Sequence, residues 1–388
     1  MYLTRRFNYA LLVVCFVLIN LNGIGQEVVS VKKFTQKEIS HLNDEHNFSA
    51  LKMVYTTTDH QGKPVNASGL VLIPENRNLN EVPVALFAHG TTTKRGYVPS
   101  ALNFQADYAS LLAVNGYITV VPDYLGLGDS PGLHPYLHSE TEATACIDMI
   151  RAVRRYFKNN MNISIRKDIY LTGYSQGGHA VMATQKYIEE NNLTGEFQIV
   201  ASAPCSGPYS LSKVMYNYVR HLNEMNYCDP ELIIHTIICN QYVYQDLYSQ
   251  SGEYFIHPYD SIIDSYIERD CSFELNDHFP VQMSNFIKAN IFDNWENNPD
   301  DPYIRSLRKS DVSDWKPETP VKMYYSTADI KVPYQNALEA LSTMKQNGAK
   351  NIEAIEVSTT LDHNELMNPA MKLVIEWFNA CESEIKPL

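Results

Sequence analysis

Apolar positions along the chain fall into two kinds of run, and the two alternate. Residues 51–58 and 65–74 read as strands, separated by the turn-forming sequence Asp59-His60-Gln61-Gly62-Lys63-Pro64. Residues 82–88 form a continuous apolar run ending at His89-Gly90, as a strand buried on both faces requires. Residues 103–114 have helical spacing and stop before Gly116; residues 117–122 are again a short apolar strand. Residues 140–157 predict a helix, with Ala143, Ile147, Ile150 and Val153 on one face. A strand at 168–172 leads directly into a helix from Gln176 to about Glu190, and a further strand follows at 198–202. Such alternation implies parallel pairing and a sheet covered by helices on both faces. Ligands in sheets of this kind bind at the carboxyl ends of the strands.

The alternation breaks after Tyr209. Residues 209–316 are rich in Tyr, Asn, Asp and apolar residues at helical spacing, without a clear strand series. It resumes with a strand at 321–325, a helix at 335–345, a strand at 352–357 and a helix at 365–379. The chain therefore reads as one α/β domain, residues 26–208 and 317–388, interrupted by a helical insertion at 209–316. An independent second domain fits less well, because the α/β pattern continues beyond the break.

The first 25 residues stand apart. Arg5 and Arg6 form a basic start, residues 10–19 are an apolar run too short for a membrane helix, and Gly23-Ile24-Gly25 is a small-x-small site. This is the pattern of a signal peptide, with a mature chain beginning near Gln26 and a secreted or periplasmic location. No stretch reaches the length needed to span a bilayer. Hydrophobic residues make up 45% and charged residues 19%, so a large core is possible. A net charge of −13 argues against nucleic acid as a partner, since phosphate binding needs clustered Lys and Arg. Beyond the leader lie Cys146, Cys205, Cys228, Cys239, Cys271 and Cys381, whose spacing fits no zinc motif. Export permits disulfides. Cys228, Cys239 and Cys271 share one segment where a local bridge is plausible, whereas Cys146 sits in the helical pattern as a buried thiol.

The chemistry is concentrated in Gly173-Tyr174-Ser175-Gln176-Gly177, a G-x-S-x-G motif between a predicted strand and a predicted helix. There a serine sits on a sharp strained turn with its hydroxyl raised clear of the sheet, and small flanking residues let strand and helix pack closely. Serine needs a base, and in this topology acid and histidine follow it in that order. His363 is the single histidine after residue 329, in the loop past the strand at 352–357. The acid should follow the preceding strand, where Asp329 lies; Asp362, Asp311 and Asp314 fit less well. An oxyanion hole needs backbone N–H groups aimed at the developing charge. Gln176, the residue after the nucleophile, supplies one. The loop His89-Gly90-Thr91-Thr92-Thr93 supplies the other, from Thr91 with Gly90 beside it. His89 and His179 read as structural, and Asp123 with Tyr124 as loop braces.

On His89-Gly90-Thr91, Pro122-Asp123-Tyr124-Leu125-Gly126-Leu127-Gly128, His134-Pro135-Tyr136, the Ser175 motif, Asp329 and His363, the sequence resembles the α/β-hydrolase superfamily. Within it, the chain resembles the secretory lipase and esterase group over most of its mature length. The resemblance implies a serine hydrolase of carboxylic esters, with no metal or organic cofactor, and makes the insertion a cap over the acyl pocket. Its substrate would be a small-molecule or polymer-attached ester. A peptidase on the same triad is the alternative; a catalytically silent binding protein is disfavoured because all three triad candidates are present. Of the insertion's aromatics Tyr216, Tyr242, Tyr244, Tyr254, Phe255, Phe286 and Phe292, most are expected in its own core and a minority at the acyl pocket.

Overall fold

The computed structural model describes residues 27–43, 47–75, 77–222, 229–268 and 275–385. The leader, its cleavage point at Gln26, and Cys228 and Cys271 lie outside the described residues.

Nine strands form one sheet in the order β1-β2-β3-β5-β4-β6-β7-β8-β9. They are β1 Val28–Lys33, β2 Phe48–Thr58, β3 Pro64–Pro74, β4 Val84–Ala88, β5 Ile118–Pro122, β6 Asp168–Tyr174, β7 Gln198–Cys205, β8 Val321–Ser326 and β9 Ile352–Ser358. From β5 to β9 every neighbouring pair is parallel. The first three strands are antiparallel to one another, and β3 is antiparallel to β5. The strand at Val28–Lys33 is not legible in the sequence pattern, which does predict β2, β3 and the turn between them. Beyond Pro83, which has no N–H to give to a ladder, the apolar run at 82–88 enters the sheet at Val84.

The central strands are mainly apolar because both faces are covered. On β4, Val84, Leu86 and Ala88 face one core and Ala85 and Phe87 the other, the two-residue period of a strand. The first core packs against helices Ser139–Tyr156 and Gln176–Glu190 through Cys146, Ile147, Ile150, Val153, Ala180 and Val181. The second packs against Phe104–Val114 and Met367–Ile385 through Ala109, Leu112, Ala370, Met371 and Phe378. Cys146 and Cys205 are buried free thiols, and burial pushes both up to about 12.

Between β7 and β8 the described chain is helical, including Pro230–Tyr244, Tyr259–Glu268, Ala289–Asn297 and Pro302–Lys309, with one isolated bridge between Phe255 and Ile287. These helices surround a core of their own containing Ile234, Ile237, Phe255, Ile263, Tyr266 and Phe286. The segment leaves and re-enters the sheet domain at one point: Val312 N–H donates to the Tyr209 carbonyl at 2.9 Å, and Ser212 N–H donates to Asp311 Oδ1 at 2.9 Å.

Candidate active site

The carboxyl end of β6 is held by β7 up to the pairs Gly173 with Pro204 and Tyr174 with Cys205. The next residue, Ser175, has φ 59° and ψ −120° and opens the helix Gln176–Glu190. A non-glycine residue there is strained by about 1–3 kcal/mol, so the surrounding packing must impose the turn. The glycines of the motif allow that packing. A Cβ on Gly177 would lie 1.9 Å from the Ala88 carbonyl oxygen, and one on Gly173 would lie 2.4 Å from the Gly177 oxygen. Helix and strand thus meet backbone to backbone. The Ser175 N–H donates to the Cys205 carbonyl at 2.9 Å.

Asp329 follows β8 and His363 follows β9, and the two side chains meet. His363 Nδ1–H donates to Asp329 Oδ2 at 2.6 Å, with Asp329 4% and His363 7% exposed. That bond fixes the tautomer and leaves Nε2 as the free acceptor. The other carboxylate oxygen of Asp329 accepts the N–H groups of Lys331 (3.0 Å) and Val332 (2.9 Å). The histidine loop is held twice more: Tyr174 Oη donates to the His363 carbonyl at 2.6 Å, and Ser326 Oγ to the Leu361 carbonyl at 2.7 Å. The competing acids are engaged elsewhere. Asp362 accepts the backbone N–H groups of Asn364 and Glu365, Asp311 serves Ser212, and Asp314 serves Asn347.

Around the candidate oxyanion hole the donors separate. Gln176 N–H stands in the first turn of its helix, where it has no intrahelical partner. The Gly90 N–H donates to Gln105 Oε1, and the Gln105 amide donates back to the Gly90 carbonyl at 3.2 Å. Gly90 is therefore occupied on both backbone groups, and Thr91 stands as the candidate donor from this loop. Thr91 is held by its hydroxyl, 3.0 Å from that of Tyr136. The loop end is held from the insertion, where Tyr266 Oη donates to the Thr93 carbonyl at 2.9 Å. His89 lies between the carbonyls of Gly90 and Asp123, and Asp123 accepts from Ser68 Oγ and the Ser100 N–H, so both brace loops.

Residues 98–214 match the secretory lipase family. The rice cell wall degrading esterase LipA from Xanthomonas oryzae superposes with a TM-score of 0.80 at 27% identity, over 91% of this chain and 97% of that one. A putative hydrolase from Legionella pneumophila gives 0.80 at 24% identity, over 92% and 98%. Candida antarctica lipase A gives 0.64 at 16% identity, over 90% and 82%. The comparison with curated proteins gives no match.

The chain has the α/β-hydrolase fold and is similar to lipases and esterases of that fold.

In this hydrolase Ser175, His363 and Thr91 open onto one cavity of about 610 Å³. The insertion lines it with the apolar side chains Leu211, Met215, Met283, Phe292, Trp295 and Leu307, and also with the charged Arg220, Asp229 and Glu231. Tyr97 and Phe104 stand at its rim, 49% and 54% exposed. Of the aromatics singled out in the insertion, Tyr216 and Phe292 line the cavity, while Tyr254, Phe255 and Phe286 are buried in the insertion's own core. Tyr242 and Tyr244 lie elsewhere, against His60 and His138. Sequence reasoning missed Trp295, Met283, Gln105 and the hydroxyl of Tyr174. The first two carry no motif. Tyr174 occupies the first variable position of G-x-S-x-G, and an aromatic ring between Gly173 and Ser175 is the signal that was available.

Proposed function

We propose that this enzyme hydrolyses carboxylic esters through Ser175, His363 and Asp329 by way of an acyl-enzyme. Ser175 Oγ attacks the ester carbonyl while His363 Nε2 takes its proton. Asp329 stabilises the resulting imidazolium and holds the ring in the tautomer that keeps Nε2 free. Charge developing on the carbonyl oxygen is met by the Gln176 and Thr91 N–H groups. The alcohol leaves with the proton from His363, and water, deprotonated by the same nitrogen, releases the acid. The observation that carries this reading is the buried 2.6 Å bond between His363 and Asp329 on the cavity that also holds Ser175.

The helical insertion, residues 209–316, acts as a cap whose apolar side chains take the acyl group. The first 25 residues direct export, with removal before Gln26; their basic and apolar pattern and the secretory lipase match support this. Among the described residues no helix is long and apolar enough to cross a membrane.

The test is labelling with a fluorophosphonate, followed by p-nitrophenyl esters of graded acyl length beside one amide substrate. Labelling at Ser175, ester turnover and its loss in Ser175→Ala are expected. Undiminished hydrolysis by that variant would refute the assignment, and amide turnover exceeding ester turnover would point to a peptidase.

A further inference from the structure

Behind the strained turn lies a row of buried polar side chains that ester chemistry does not touch. Gln176 is 1% exposed, and both hydrogens of its amide are used: Nε2 donates to Glu142 Oε1 at 2.9 Å and to His134 Nε2 at 2.8 Å. His134 is able to accept because its Nδ1–H is given to the Leu125 carbonyl at 2.8 Å, and burial pushes its pKa down to about 3, keeping the ring neutral. The second oxygen of Glu142 lies 2.6 Å from His179 Nδ1, and His179 Nε2 lies 2.8 Å from the Ser310 carbonyl. Both partners of His179 are acceptors, so its ring serves both as an imidazolium. Burial opposes that charge, but the Glu142 carboxylate and the Ser310 carbonyl outweigh it and raise the pKa. Glu142 and His179 are 1% and 0% exposed.

This arrangement leaves a cost in place. Gln176 Oε1 is buried with no partner among the described residues, and an orphaned buried acceptor is destabilising. An apolar side chain of similar length would fill the space without it. Turning the amide over would set its oxygen against the Glu142 carboxylate, so only one orientation is open. Gln176 N–H, meanwhile, is the first of its helix and has no intrahelical acceptor. Its peptide is held from the other side, where the Ser175 carbonyl accepts the Gly178 N–H at 2.9 Å and the His179 N–H at 3.3 Å. The Gln176 side chain adds a second anchor, on the far side of the Gln176 Cα.

We propose that Glu142 is a positioning residue for ester hydrolysis: through the Gln176 side chain it fixes the direction from which the Gln176 backbone N–H meets the developing oxyanion. This rests on the reading of Gln176 as an oxyanion donor. It gives Glu142, His134 and His179, on three separate segments, one shared task. Misplacing a catalytic donor by about 1 Å can cost on the order of 10²-fold in rate.

Two variants release the clamp and one preserves it. Glu142→Leu removes the acceptor; Gln176→Met removes the amide while keeping the backbone N–H. Glu142→Gln keeps every bond: its carbonyl accepts from Gln176, its amide donates to Nδ1 of a now neutral His179, and His179 Nε2–H still reaches Ser310. Each enzyme is titrated with the fluorophosphonate so that turnover is counted per labelled Ser175. Each is also measured against an alkyl trifluoromethyl ketone, whose hemiketal places an oxyanion in the hole.

The expected result for Glu142→Leu and Gln176→Met is kcat per labelled site lowered about ten- to a hundredfold with KM within about threefold. Ketone affinity should weaken by a matching factor, and Glu142→Gln should recover to within about threefold of the parent. A folded Glu142→Leu with parental kcat per site overturns the proposal, and where that variant does not fold, parental kcat in Gln176→Met does so. A Glu142→Gln variant as slow as Glu142→Leu also overturns it, because the bonds are then intact. Failure of Ser175 to label in the parent enzyme instead removes the underlying reading of the site.

Discussion

At Gly177 there is no room for a single added carbon, because the Ala88 carbonyl lies 1.9 Å from where it would sit. On the insertion's side of the cavity, Met215, Met283, Phe292 and Trp295 line the space with side chains whose identities follow no spacing rule. The first region is built from backbone meeting backbone, with a strained serine and a buried histidine–aspartate bond beside it. The second is built from interchangeable apolar bulk. Where geometry is set by backbone, few residue types fit and the requirement is written into the sequence. Where it is set by volume, many combinations fit. On the proposed reading, the reaction is specified in the sheet domain and the selectivity in the insertion.

Four substitutions put that division under strain. Ser175→Ala, at the backbone-built end, should lower kcat/KM for any ester by about 10⁴-fold or more while leaving the thermal midpoint near the parent's, read by steady-state kinetics and calorimetry. If acyl length altered that factor strongly, the two regions would not be separable. Gly177→Ala should be the most damaging change to the fold, by upwards of about 3 kcal/mol, since the neighbour it strikes is backbone and cannot rotate away. Urea unfolding of soluble material measures it, and near-parental stability would show that strand and helix have slack.

A third test compares the regions by acid. Burial lowers the pKa of His235, in the insertion, to about 4. Its folded pKa is below its unfolded value, so the unfolded chain binds the proton first. The stability His235 contributes is present above about pH 6.5 and is lost as pH falls towards 4. His235→Gln escapes that loss. Relative to the parent it should gain on the order of 3 kcal/mol between pH 7 and pH 4, seen as converging or crossing urea midpoints. A constant offset across that range would mean the ring is hydrated. The smallest effect belongs to the cavity wall. Trp295→Ala should reorder p-nitrophenyl esters by acyl length, each methylene shifting kcat/KM by about 1–3 kcal/mol or less, while the labelling rate of Ser175 by a small phosphonate stays close to the parent's. An unchanged ranking would move the acyl pocket out of the insertion.

The same division explains what the sequence made legible. The central strands announce themselves because β4 to β7 are covered on both faces and carry few polar residues, with Thr119, Thr172 and Ser202 fully buried among apolar neighbours. Gly173 to Gly177 declares its turn because only glycine tolerates such approach. Asp329 and His363 are found by chain order, and the structure brings their side chains into contact. Val28–Lys33 escaped notice because it is an edge strand with few buried positions. The antiparallel pairing of β2 with β3 follows from the tight turn between them, whereas that of β3 with β5 is non-local. Thr91 is placed only just ahead of Gly90 by the sequence, because the feature that separates them is the Gln105 side chain, fifteen residues from Gly90. Trp295 and Met283 reach the cavity only through the way the insertion folds back on itself.

The junction at Tyr209 and Val312 has a consequence of its own. A hydrogen bond closes the insertion at its base, so the sheet domain meets the whole segment as though it were a short connection. Closing a loop of about 100 residues costs on the order of 4 kcal/mol of chain entropy, and doubling its length adds only about 0.6 kcal/mol. Length is thus nearly free at this position, and the segment is exchangeable as a cassette cut at two neighbouring residues. An incoming segment must also carry a hydroxyl to the Thr93 carbonyl, as Tyr266 does, and leave a carbonyl where Ser310 meets His179. Together with Tyr218 Oη on the Ile330 carbonyl and Asp229 on Lys331, such attachment points, rather than the size of the transplant, limit which substrate-binding modules this scaffold can accept.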